Sequence, residues 1–254
     1  RLYNGRDLCI IRKQTVKWIQ DTIGITAIDA FVRHKGLCAG QVFYDWMQER
    51  IAEKLGNPQA TFNDLHIKVR QQEADKFAKL SQAKFRDLFV IGANVSTGYY
   101  EVLSKDETGD MPLVDAVRIS ISYPFLFVPF QASKKGKDDH GHYYVDGGLL
   151  KNYPIHLFDT GKQANLETLG FRLDTPEEIA ILQNQKQPVA KPIHNLKDYI
   201  EAFVMTSFNA ETNEHQRAYD DIRTVYINTL QVKTTNFDLN KKEIAELITE
   251  GEKA

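Results

Sequence analysis

Cysteine is scarce in this sequence, as are long apolar runs and any excess of one charge. Cys9 and Cys38 are its two cysteines, too few for the disulfide framework of a small secreted domain. No apolar run reaches the roughly 18 residues that indicate a membrane-spanning helix. The net charge of -2 gives no electrostatic basis for binding nucleic acid, which favours a basic surface. These absences argue against a disulfide scaffold, an integral membrane protein and a nucleic-acid partner.

An initiator methionine and a secretory signal are also lacking. Residues 1–14 are polar and interrupted by charge, unlike the apolar segment of a signal peptide. We therefore expect the chain to begin inside a longer gene product, and its cellular compartment stays open. Apolar residues, in contrast, are plentiful. Hydrophobic residues make up 42% of the chain and aromatic residues 11%, which is enough for a sizeable core.

Helical and extended patterns alternate along the chain, which indicates an α/β fold. Apolar spacing predicts helices at residues 41–55, 112–123, 196–219 and 239–254, a shorter helix starting at 61–69, and a broken helix or two short helices within 14–33. Runs of β-forming residues predict strands at 87–95, 99–104, 125–130, 143–148, 167–174 and 223–229. We expect a glycine-rich turn at 35–40, a charged surface loop at 133–142 and a linker at 183–195.

The sharpest local motif is Val-Asp-Gly-Gly at residues 145–148. A strand end delivers Asp146, and Gly147 and Gly148 let the backbone turn tightly and approach a neighbouring segment closely. Functional carboxylates are often found at strand ends beside such loops in α/β sheets. Aspartate and glycine are also favoured turn residues. The motif alone therefore leaves an ordinary β-turn open as the alternative.

Several ordered blocks give this motif a context. They are GLCAG, TFNDL, ANVSTG, PLVDAVRISISYPFLFVPF and YYVDGGLLKNYPI. This order resembles the patatin-like phospholipase family, densely over residues 29–160 and more loosely beyond. The resemblance implies a three-layer α/β/α fold around a mixed, mostly parallel central sheet. It also implies a catalytic domain over residues 1–160, with residues 161–254 as a C-terminal α/β extension packed on it.

The same resemblance implies a serine–aspartate dyad that hydrolyses acyl esters of lipids, as in a phospholipase A. Asp146 matches the position of the aspartate, which accepts the serine proton directly and later returns it to the leaving alcohol. Gly147, Gly148, Asn152 and Pro154 are expected to support the aspartate loop. No metal or cofactor is implied. The implied partners are a phospholipid or other acyl lipid and a membrane surface in peripheral contact, and the resemblance leaves room for a protein activator. Bacterial family members include secreted effectors.

The sequence departs from the family pattern in one respect. The Gly-x-Ser-x-Gly elbow and the early glycine-rich oxyanion loop are absent, and residues 1–28, where both belong, contain no serine. We expect the nucleophile and the loop on a segment outside these residues. The alternative is a catalytically dead patatin-like scaffold that acts as a binding module.

Three further candidates have weaker support. Ser96 in Asn-Val-Ser-Thr-Gly differs from the elbow motif by one residue, but a strand rather than a helix follows it. A generic α/β hydrolase that uses Ser96 with His156 stays open as a third hypothesis. His140 and His142 form a His-x-His pair without an evident third ligand, which favours a solvated loop over a metal site.

Overall fold

The computed structural model describes residues 35–74, 84–132 and 141–254, apart from Lys162, Asn184, Lys191, 215–217, Gln231, 233–235 and Phe237. These residues fall into two compact units that meet in the sequence between Lys151 and Asn152. The broken helix expected within 14–33 and most of the loop expected at 133–142, including His140, lie outside the described residues.

The first unit contains the strands and helices around the aspartate motif. Its described strands are β1 (Gly36–Cys38), β2 (Val90–Asn94), β3 (Tyr99–Leu103), β4 (Phe125–Phe127), β5 (Phe130–Ala132) and β6 (His142–Asp146). Its described helices are α1 (Gln41–Leu55), α2 (Phe62–Ala74), α3 (Lys105–Thr108) and α4 (Leu113–Ser120), followed by a 3-10 turn at Gly147–Leu149.

Glycine and proline set the ends of these helices. Gly40 and Gly56 flank α1 with φ of 74° and 80°, left-handed values that favour glycine. Pro112 precedes α4, and its fixed φ suits the start of a helix. The helix ends at Ser120, and Pro124 lies shortly beyond it.

A four-stranded antiparallel sheet is the centre of this unit. The strand order is β3–β2–β6–β5, and all five residues of β2 are buried. In this register Gly92 of β2 lies opposite Asp146 of β6 on one side and Glu101 of β3 on the other. A separate two-stranded parallel pair joins β1 to β4.

Helix α4 packs on the sheet and closes the core. Val114, Ala116 and Ile119 are fully buried, and a Cβ on Gly92 would lie 2.8 Å from Cγ2 of Ile119. Glycine at this position therefore allows the helix to approach the sheet closely. The residues that follow α4 are thereby brought beside the end of β6, where Asp146 lies.

The second unit is built on a parallel pair of strands. Its described strands are β7 (Gly170–Asp174) and β8 (Thr224–Asn228), and its described helices are α5 (Pro176–Leu182), α6 (Leu196–Glu214), α7 (Ala218–Asp221) and α8 (Lys241–Lys253), with a 3-10 turn at Ile155–Phe158. Thr175 and Asn240 begin α5 and α8 with capping boxes. In each box the capping side chain accepts the backbone N–H of a glutamate three residues on, and that glutamate's carboxylate accepts the backbone N–H of the capping residue.

The predicted α/β class, with both parallel and antiparallel pairing, is confirmed. The turn expected at 35–40 is wrong in part, because Gly36–Cys38 form a strand that pairs with Phe125–Phe127. The parallel share is also smaller than expected. Within the described part of the chain, parallel pairing is confined to the two two-stranded sheets.

Candidate active site

Asp146 is the last residue of β6 and is held from two sides. Its backbone N–H donates to the carbonyl of Ser122 at 2.9 Å. Its side-chain Oδ1 accepts the backbone N–H of Gly148 at 2.8 Å, so the carboxylate caps the 3-10 turn that follows. One bond fixes the main chain and the other fixes the side chain, so the carboxylate has a defined place at the strand tip.

The environment of Asp146 favours its protonated form more than water does. Burial raises the pKa of the Asp146 carboxyl from 3.8 to about 6, and the hydrogen bond from Gly148 opposes this rise. The group still ionises below neutral pH. It can therefore accept a proton at neutral pH and release it again without a large cost, which suits a general base.

Close packing requires a glycine at position 147, directly after Asp146. A Cβ on Gly147 would overlap the backbone carbonyl of Ile91 in β2. Both Gly147 and Gly148 are buried, and the carbonyl of Gly147 accepts the N–H groups of Leu150 and Lys151. The tight turn expected from the sequence is present, and it packs against β2 of the central sheet directly beside Asp146.

Asn152 and Pro154 lie at the start of the second unit. Asn152 is exposed, and Pro154 precedes the 3-10 turn at Ile155–Phe158. Their expected role as supports of the Asp146 loop stays a prediction.

Ser96 lies in the exposed turn between β2 and β3. Its Oγ accepts the backbone N–H of Tyr143 at 3.0 Å, and its own N–H donates to Oδ1 of Asn94 at 3.1 Å. A strand follows the turn, not the helix that a nucleophile elbow needs. These hydrogen bonds give Ser96 a structural role in the turn of the β2–β3 hairpin.

His142 belongs to a polar cluster on the central sheet. Nδ2 of Asn94 lies 2.7 Å from Nδ1 of His142 and donates to Glu101 at 2.9 Å. The hydroxyl of Tyr144 donates to the same carboxylate at 3.0 Å, and the pKa of Tyr144 is raised by burial and by Glu101. The cluster joins β2, β3 and β6. Sequence reasoning missed it, because none of these residue types marks a site by spacing alone.

His156, the histidine considered as a catalytic partner of Ser96, is held within the second unit. Its Nδ1 lies 2.8 Å from Asp159, and its Nε2 lies 3.2 Å from Asp220. Arg223 binds both carboxylates, and its hydrogen bonds hold the pKa of Asp159 far below the usual range. Both ring nitrogens of His156 are thus engaged in a buried charge cluster.

Neither a metal centre nor a membrane span is found in the described part of the chain. Among these residues, no group of three or more His, Cys, Asp or Glu side chains is placed to hold a metal ion. In the same ranges, no helix is both long and apolar enough to cross a membrane.

Comparison with known proteins places the chain in a family. The model of the family described as patatin-like phospholipase matches residues 11–159, which include the whole Asp146 motif. Two relatives are similar in sequence to part of the chain. The "Uncharacterized protein R571" of Acanthamoeba polyphaga mimivirus is 32% identical over 138 residues, 54% of this chain and 42% of the relative. The "Uncharacterized protein YqhO" of Bacillus subtilis is 27% identical over 143 residues, 56% of this chain and 44% of the relative.

A more distant relative carries a functional name. The "Probable lipid hydrolase 463L" of Invertebrate iridescent virus 6 is 22% identical over 99 residues, 38% of this chain and 32% of the relative. Among solved structures, VipD from Legionella pneumophila aligns with a TM-score of 0.45 at 21% identity, over 78% of this chain and 34% of that one. The chain spans less than half the length of the curated relatives that it matches. Because the family model covers more than half of its residues, the chain belongs to the patatin-like phospholipase family.

Proposed function

We propose that this chain carries the general base of a lipid acyl hydrolase, with Asp146 as the aspartate of a Ser–Asp dyad. The observation that carries the proposal is the state of one carboxyl group. Asp146 is held at a strand tip by Gly148 and Ser122, and burial raises its pKa to about 6. Membership of the patatin-like phospholipase family and a relative named as a probable lipid hydrolase support the substrate class.

In the proposed reaction a serine hydroxyl attacks the carbonyl carbon of an acyl ester while its proton passes to Asp146. The tetrahedral intermediate then collapses, and the protonated Asp146 returns the proton to the leaving alcohol. Water hydrolyses the acyl-serine by the same proton transfers in reverse order. Because Oδ1 accepts the Gly148 N–H, we assign Oδ2 as the oxygen that faces the serine.

The serine and the oxyanion donors are assigned to residues outside this sequence, because Gly-x-Ser-x-Gly does not occur in it. Backbone N–H groups of a glycine-rich loop would stabilise the developing oxyanion. The substrate is an acyl ester of a phospholipid or another lipid, reached through peripheral contact with a lipid surface. No step of this reaction calls for a cofactor.

A scaffold without a nucleophile is the second candidate, and the missing elbow motif is the observation that favours it. Such a protein would keep the Asp146 turn as a structural element and bind lipid without cleaving it. The hydrolase would release free fatty acid from the lipid, and the scaffold would not.

The test uses the full-length natural protein that contains this chain. Fatty-acid release from phospholipid vesicles and from a soluble short-chain ester is measured for the wild type, Asp146→Asn and Asp106→Asn. Asp106 is an exposed aspartate on α3 and serves as the matched control. We expect a loss of at least about 1,000-fold for Asp146→Asn, because removal of a general base and its charge costs this order of rate. The control should keep wild-type activity.

Two results would contradict the proposal in different ways. If Asp146→Asn retained activity, Asp146 would not be the general base. An inactive wild type that still binds vesicles would favour the scaffold.

A further inference from the structure

Arg118 is a buried cation in α4, the helix that packs against the central sheet. It is 4% exposed, and none of the ion pairs between described residues includes it. Burial lowers its pKa. A guanidinium taken out of water must be satisfied by hydrogen bonds, because an unpaired buried charge is strongly destabilising.

Backbone carbonyls satisfy this cation. Nη2 of Arg118 donates to the carbonyl of Ala39 at 2.8 Å and to that of Val128 at 3.1 Å. The guanidinium carbon also lies 5.4 Å from the ring centroid of Phe127. Ala39 follows β1 and Val128 follows β4, so Arg118 ties the ends of this strand pair to the helix.

The same guanidinium reaches Asp146 through one residue. Nη1 of Arg118 donates to Oγ of Ser122, which in turn donates to the carbonyl of Arg118 at 2.7 Å. Ser122 is fully buried, and its own carbonyl accepts the backbone N–H of Asp146 at 2.9 Å. The chain of contacts runs from Arg118 to Ser122 to the main chain of the candidate base.

We propose that Arg118 and Ser122 are positioning residues that set the place of the Asp146 carboxylate. The proposal rests on the proposed function, since it takes Asp146 as the base. In a dyad without a histidine, the carboxylate must lie within hydrogen-bond distance of the serine hydroxyl itself. A displacement of about 1 Å between the two groups can lower the rate about 100-fold. Arginine is required because its planar fork reaches several acceptors at once, which a lysine ammonium cannot do.

The test compares Ser122→Ala and Arg118→Lys with Ile119→Val. Ser122→Ala keeps the carbonyl that holds Asp146 and removes the hydroxyl that anchors Arg118, so a buried N–H loses its acceptor. Ile119→Val changes a fully buried neighbour on the same helix without touching these hydrogen bonds. Ile119→Val therefore controls for a general loss of stability. The three variants are compared at temperatures at which each of them is folded.

Two measurements are made on each variant of the full-length protein. The first is kcat and KM for a soluble ester, and the second is the titration of the Asp146 carboxyl carbon by NMR, assigned with Asp146→Asn. For Ser122→Ala and Arg118→Lys we expect kcat to fall by about 10- to 100-fold with KM little changed. The Asp146 titration should move towards that of an exposed aspartate, because a loosened turn admits water. Ile119→Val should change kcat less than about twofold and leave the titration in place.

The outcomes separate this proposal from the proposed function. An unchanged Asp146 titration in Ser122→Ala and Arg118→Lys would overturn the positioning role, and so would an equal effect of Ile119→Val. A shifted titration with unchanged kcat would instead support positioning and remove Asp146 from the chemistry.

Discussion

At the scale of single residues, Asp146 is under two opposed influences. Burial in the turn disfavours its charged form, and the N–H of Gly148 favours it. The first effect is larger, so the folded protein holds the Asp146 proton more tightly than the unfolded chain does. Carboxyl groups with a pKa shifted in this way are concentrated at functional sites, which agrees with the role in proton transfer that we propose for Asp146.

The same balance predicts how an Asp146→Asn variant unfolds. A folded pKa of about 6 against an unfolded value of 3.8 means that the carboxylate destabilises the fold above about pH 6. This penalty shrinks as the pH falls towards 4. We expect Asp146→Asn to raise the free energy of unfolding at pH 8 by roughly 2–3 kcal/mol, and by much less at pH 4. Urea unfolding at both pH values measures it. If Asp146→Asn were less stable than the wild type at pH 8, the Asp146 carboxyl would not be buried with a raised pKa as described.

Ser96→Ala tests the competing nucleophile. The Ser96 hydroxyl accepts one backbone N–H in an exposed turn, so its removal should cost less than about 1 kcal/mol of stability. Ester hydrolysis should stay within about twofold of the wild type, because Ser96 takes no part in the proposed chemistry. A loss of activity of about 100-fold or more, with the fold intact, would return Ser96 to consideration.

At the scale of secondary structure elements, the turn after β6 depends on the absence of a side chain at Gly147. A Cβ there would overlap the carbonyl of Ile91, and backbone atoms of a buried strand cannot move aside easily. We expect Gly147→Ala to lower the free energy of unfolding by about 2–3 kcal/mol, measured by urea unfolding.

Gly251→Ala is the control for glycine replacement as such. Gly251 lies in α8, and nothing stands within 4 Å of the place that a Cβ would take, so alanine there should stabilise by about 0.5–1 kcal/mol. Equal unfolding midpoints for wild type and Gly147→Ala would show that the turn does not pack against β2 as described.

Local patterns were sufficient to predict several elements. The helix expected at 41–55 is α1 at Gln41–Leu55, because apolar spacing and a terminal glycine agree there. The strand expected at 87–95 is the fully buried β2 at Val90–Asn94, shortened at both ends. The helix Pro176–Leu182 was missed although Thr175 and Glu178 form a capping box. A short element with strong caps can be found from sequence when the cap is examined before the apolar spacing.

Other features depend on contacts between distant parts of the chain. Gly36–Cys38 resemble a turn by composition and become a strand only because Phe125–Phe127 pair with them. The role of Arg118 is hidden for the same reason. A charged residue on an amphipathic helix is expected in solvent, and its acceptors at Ala39 and Val128 come from other segments. Asp146 was predictable because strand, carboxylate and glycines are contiguous in the sequence.

At the scale of the whole molecule, we propose that this chain carries the base, and we expect the nucleophile on residues outside it. The family match ends at residue 159, and the charge cluster of His156, Asp159, Asp220 and Arg223 joins the end of that match to residues well beyond it. Both ring nitrogens of His156 face carboxylates in that cluster, so no described contact directs it to a serine. We therefore expect His156 to take no part in the proposed acid–base chemistry.

The most direct test is the pH dependence of kcat for a soluble ester, measured on the full-length wild type and on His156→Gln. Because Asp146 must be ionised to accept the serine proton, kcat should rise with pH through a single ionisation near pH 6 and then level off. His156→Gln should show the same acid limb if it folds, and far-ultraviolet circular dichroism establishes that it does. A profile without an ionisation near pH 6, or an acid limb that His156→Gln removes, would contradict the assignment of Asp146 as the base.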